Sequence, residues 1–86
     1  MKVSVYDTYV PKDSGNIMHF DILVDEKSSV DDVYTYGKEY LASKNIPNYR
    51  LTTSECRFCH METAPKEVEN SINKKGYYII EMENCN

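Results

Sequence analysis

KVSVYDTYVPKDSGNIMHFDILVD, residues 2–25, is the stretch on which the fold turns. In its first part apolar and polar side chains alternate. Val3, Val5 and Tyr9 fall on one side and Ser4, Tyr6 and Thr8 on the other, which is the two-residue period of a β-strand. Asp7 interrupts the apolar side. Pro11-Lys12-Asp13-Ser14-Gly15-Asn16 then gathers turn formers, so the chain is expected to reverse there. Alternation resumes over 17–25, with Met18, Phe20, Ile22 and Val24 pointing one way and His19, Asp21 and Asp25 the other. Two alternating runs around a short loop predict an antiparallel hairpin. His19 and Asp21 share a face one repeat apart, so a His–Asp pair is available there.

Downstream, the period changes. Either Ser28 or Ser29 can cap a helix that has Asp31 and Asp32 in its first turn, where acidic groups favour the helix dipole. Val30, Val33, Tyr34, Gly37, Tyr40 and Leu41 recur at helical spacing and predict an amphipathic helix over 29–44. Gly37 sits in its middle, where glycine costs about 1 kcal/mol relative to alanine, and close packing on a sheet is the expected reason. Asn45-Ile46-Pro47-Asn48 ends the helix, and a short strand is expected at 49–54. A second helix over 64–75 is marked by Pro65, by Val68 and Ile72, and by Gly76 as its C-cap, and a last strand follows at 77–83. The order ββαβαβ predicts an α+β fold, a single two-layer domain over 1–86 with a mixed four-stranded sheet and two helices.

With 86 residues the chain has one core, of stability on the order of 4–13 kcal/mol. Its formal charge is −4 and its longest basic run is Lys74-Lys75, so it lacks the basic footprint that nucleic-acid binding requires. The eight tyrosines are expected in the core and strands. No stretch reaches the roughly 20 apolar residues of a membrane span, and the amino terminus shows no apolar leader. A cytoplasmic protein with reduced thiols is expected, without nucleic-acid or membrane partners. An unidentified protein partner and the oligomeric state stay open.

The chemistry-bearing motif is Cys56-Arg57-Phe58-Cys59-His60, with Cys85 near the end of the chain. Zinc takes four tetrahedral ligands, so Cys56, Cys59, Cys85 and His60 form the candidate set for a structural zinc site in a loop after the third strand, with His19 as the alternative histidine. The alternative function is a thiol-disulfide oxidoreductase using Cys56 as attacking thiolate and Cys59 as resolving thiol. C-x-x-C-H is also the attachment motif of c-type haem, a chemistry of exported proteins. Against all three stands a plain alternative, inert reduced thiols. The functional expectation is a small binding or interaction domain with no catalytic residues.

The combination Val5-Tyr6-Asp7-Thr8-Tyr9-Val10, His19-Phe20-Asp21 and Glu55-Cys56-Arg57-Phe58-Cys59-His60, with the ending from Gly76-Tyr77 to Cys85-Asn86, resembles a family of small bacterial proteins classed as a domain of unknown function. The resemblance covers nearly the whole chain. It implies a compact α+β domain of this length and brings no activity, substrate or cofactor with it.

Overall fold

The structure, a computed structural model, describes residues 1–46, 51–52 and 55–85. Strands β1 (Lys2–Pro11) and β2 (Ile17–Asp25) form the expected hairpin, in a register that sets Val3 opposite Asp25 and Pro11 opposite Ile17. Its turn is closed by hydrogen bonds from Lys12 N–H to the Asn16 carbonyl and from Gly15 N–H to the Lys12 carbonyl, with Gly15 at φ +93°. That angle is one that glycine adopts without a Cβ clash.

Helix α1 (Val30–Ser43) begins at a capping box. Asp32 N–H donates to Ser29 Oγ at 3.1 Å, and Ser29 N–H donates to Asp32 Oδ2 at 3.4 Å, satisfying two donors that the first turn leaves unpaired. Helix α2 (Lys66–Lys75) follows Pro65 and ends at Gly76, whose φ of +98° and N–H bond to the Ile72 carbonyl make a left-handed C-cap. Its first turn carries Glu67 and Glu69 and its last Lys74 and Lys75, the charge order that complements the helix dipole.

Strand β3 is Cys56–Thr63 and β4 is Tyr77–Glu83, and the sheet order is β3-β1-β2-β4. Every neighbouring pair is antiparallel, so the sheet is not mixed. The connection through α1 carries the chain past β1 before β3 begins. β2 and β3 therefore run parallel but never touch, because β1 lies between them. The third strand expected at 49–54 lies mostly outside the described residues. Tyr49, Arg50, Thr53 and Ser54 lie outside the described residues, Leu51 and Thr52 are not in a strand, and the Cys-x-x-Cys-His motif is itself the strand.

Alternation along the central strands builds two cores. Val10, Met18, Phe20, Ile22 and Val24 pack with Val33, Tyr40 and Leu41 of α1. Val3, Val5 and Leu23 pack with Val68 and Ile72 of α2. Ile22 and Leu23 are adjacent on one strand and so face opposite ways, which puts the helices on opposite sides of the sheet and makes three layers where two were expected. α1 is tied to β4 by the Tyr40 hydroxyl, which donates to the Glu81 carboxylate, and by Lys44 Nζ at 2.8 Å from the same group.

Candidate functional site

α2 packs against Val3, Val5 and Leu23, towards one end of the sheet. Towards the other end, the same face carries Asp7 and Tyr9 from β1 and His19 and Asp21 from β2, with His60 of β3 opposite Val5. The hairpin register sets Asp7 directly opposite Asp21 and Tyr9 opposite His19. The Tyr9 ring stacks on the imidazole with centroids 4.2 Å apart, which holds its orientation. His19 Nε2 lies 3.7 Å from Asp7 Oδ1 and 3.8 Å from Asp21 Oδ1, close enough for charge attraction and too far for a hydrogen bond. Asp21 is only 7% exposed, and both its Oδ1 and His19 Nε2 are buried without a hydrogen-bond partner.

The two carboxyl groups push each other's titrations apart. Burial, together with the hydrogen bond and the charge of Asp7, pushes the Asp21 carboxyl up to about 6. The hydrogen bond from Asp21 holds Asp7 below the usual carboxylate range, and a second from Cys59 and the charge of His19 act the same way. Such a pair titrates as a unit. A raised carboxyl makes folding take up a proton, so the contribution of Asp21 to stability falls as pH rises from about 4 to about 6 and stays unfavourable above that. The lowered Asp7 contributes stability above the unfolded carboxylate range and loses it as pH falls through that range. Equilibrium denaturation of the ligand-free protein at pH 4.5 and pH 7.5 is expected to show the pair favouring the lower pH, with the dependence between them removed in Asp21→Asn.

The motif cysteines lie differently from the expectation. Cys56 is buried on the α1 side, where the Thr8 hydroxyl donates to its sulfur at 3.4 Å. Cys59 is exposed where the β1–β3 register shifts, between Val5 and Tyr6 of β1, with its sulfur beside His60. Two residues three apart on an extended strand are separated by roughly 10 Å, beyond the about 7 Å limit for a disulfide and beyond joint chelation of one ion. Cys85 is buried in the α1-side core beside the His19 carbonyl, at the far edge of the sheet from β3. The set Cys56, Cys59, Cys85 and His60 is therefore not brought together. Only Cys59 and His60 meet, with His60 Nδ1 3.2 Å from Cys59 Sγ and its Nε2 3.3 Å from Glu62 Oε2.

The thiol chemistry is also unfavourable. Burial, followed by the charge of Glu55, raises the Cys56 thiol, while its bond from Thr8 offsets this in part. Desolvation and the Asp7 carboxylate raise Cys59. An attacking thiolate needs the opposite, an electropositive setting that lowers its pKa. A surface hollow of about 570 Å³ along β4 holds charges that already have partners: Glu81 with Lys44 and Tyr40, and Glu39 with Tyr77.

Asp7 and Asp21 were not among the expected metal ligands: Asp7 reads locally as a break in an apolar face, and Asp21 as half of a His–Asp pair with His19. The turn held the signal: the hairpin register that sets Val10 across from Met18 also sets Asp7 across from Asp21.

These features define a small α+β domain, a four-stranded antiparallel sheet between two helices, with a polar half-buried cluster on one sheet face. The chain belongs to the DUF2024 family, a domain of unknown function, whose model matches residues 1–82. It is similar to protein NE1680 from Nitrosomonas europaea, a structural-genomics target solved by NMR, with 42% identity over 100% of both chains and a TM-score of 0.84. No curated protein matches the chain. Among the described residues, no helix is long and apolar enough to cross a membrane.

Proposed function

We propose that the chain is a small binding domain whose working surface is the sheet face beside α2, centred on Asp7, His19 and Asp21. One observation carries this. Asp21 is a carboxylate buried in the sheet with Oδ1 left without a donor. An unsatisfied buried polar group costs about 1–3 kcal/mol, more when charged, and a hydrophobic or amide side chain would fill the same place at lower cost. A chain that holds such a group beside an equally unpartnered histidine nitrogen is holding it for something that supplies the missing partner. The raised thiols and the separation of Cys56 from Cys59 give the oxidoreductase alternative no comparable support.

The test is the stability of Asp21→Asn without ligand. The amide can donate to Asp7 where two ionised carboxylates otherwise face each other. It is therefore expected to stabilise the protein by about 1 kcal/mol at neutral pH, a rise in Tm of about 4–8 °C for a domain of this size. A loss of about 1 kcal/mol or more would show that the carboxylate serves the fold and would remove the binding function from this surface. Trade-offs of this kind, with a site held at a cost to stability, are common at binding surfaces.

A further inference from the structure

We propose that the ligand is a divalent transition-metal ion, held by one oxygen each of Asp7 and Asp21 and by Nε2 of His19. This rests on the binding function above and names its ligand. The three ligand atoms all lie within 4.8 Å of one another. Metal–ligand bonds of about 2.0–2.2 Å place neighbouring ligand atoms about 3.0–3.6 Å apart, so the separations of 3.7 and 3.8 Å from His19 need to close by only a few tenths of an ångström. Two of the three atoms are those left unpartnered, Asp21 Oδ1 and His19 Nε2. A cation between them would satisfy both and would neutralise the two facing carboxylates. The ligands come from paired central strands rather than from a loop, and the Tyr9 ring fixes the imidazole, so the site is largely preorganised.

The donor set selects the ion. Magnesium and calcium take oxygen ligands almost alone, whereas an imidazole with two carboxylates suits zinc, manganese, iron(II) and cobalt. Three protein ligands leave at least one position open for water or a further group. The hollow beside Asp7 is bordered by Tyr9, Glu55 and Arg57, which bring one group of each charge. Cys56 and Cys85 play no part in this site.

The experiment is calorimetric titration of the full chain, tag removed and under a non-thiol reductant, with Zn²⁺, Co²⁺ and Mg²⁺. Parallel titrations use Asp21→Asn, His19→Gln, Cys59→Ser and Cys85→Ser. One Zn²⁺ or Co²⁺ per chain is expected, with Mg²⁺ far weaker. Affinity should drop by roughly 100-fold or more in Asp21→Asn and His19→Gln and stay unchanged in Cys85→Ser. With Co²⁺, visible absorption reports the ligand set directly. A spectrum of nitrogen and oxygen ligation that is unchanged in Cys59→Ser is expected, and a thiolate-to-cobalt band that vanishes in Cys59→Ser overturns the assigned ligand set. Absence of binding at millimolar Zn²⁺ and Co²⁺, or binding that survives both Asp21→Asn and His19→Gln, overturns the metal site. If that happens while Asp21→Asn still stabilises the protein, only the ligand is misassigned. If Asp21→Asn destabilises it, the binding surface itself fails.

Discussion

Phe20→Ala is expected to remove about 3–5 kcal/mol of stability, the range for deleting a fully buried aromatic side chain. Phe20 is completely buried on β2, and its ring meets that of Tyr40 with centroids 4.7 Å apart. It stands in the middle of the α1-side core, between Met18 and Ile22 on its own strand and under α1. Truncation leaves a cavity that neither a paired central strand nor a helix tied to β4 through Tyr40, Lys44 and Glu81 can close by moving. For a domain whose whole stability is on the order of 4–13 kcal/mol, this is a large share. Urea denaturation should show the midpoint fall with an unchanged slope, and Tm should fall by roughly 20 °C. A loss below about 1.5 kcal/mol would mean that the α1 layer is loosely packed.

The second large effect is at Gly37. A Cβ built there would overlap Leu51 Cδ1 and come within 3.1 Å of Ile22 Cδ1. Two opposing terms decide the outcome. Helix propensity favours replacement of a mid-helix glycine by about 1 kcal/mol, whereas overpacking costs about 1–3 kcal/mol. For Gly37→Ala, the obstructing atoms are the ends of flexible side chains, so a modest net loss of about 1 kcal/mol is expected. Gly37→Leu drives a whole side chain between α1 and the sheet and is expected to cost about 3 kcal/mol. Thermal melts of the two variants beside the parent check the ordering, and a stabilised Gly37→Ala would show that propensity outweighs the close approach.

Much of this domain could be read residue by residue. The hairpin follows from alternation around a turn-rich loop, and α1 from its spacing and a serine cap, with the structure choosing Ser29 over Ser28. The last strand was legible because its first half is apolar. β3 was not, and its burial explains why: Cys56 is its one buried residue, and Arg57 to Met61 are all exposed. An edge strand that covers little core carries no apolar alternation, and the irregularity at Cys59 interrupts what period there is. A Cys-x-x-Cys spacing therefore suggested a chelating loop in a segment whose extended backbone sends the two sulfurs to opposite faces.

By itself, then, the sequence determined the hairpin, both helices, the last strand and the glycine contact of α1, because each rests on local period or on the steric demands of single residues. Tertiary structure alone decided that the sheet is antiparallel throughout, that the helices take opposite faces, and that β3 joins the edge beside β1. Those outcomes depend on which strands pair and in what register. Pairing is a cooperative property of distant segments competing to bury the same apolar faces, and no local pattern encodes which of them meet.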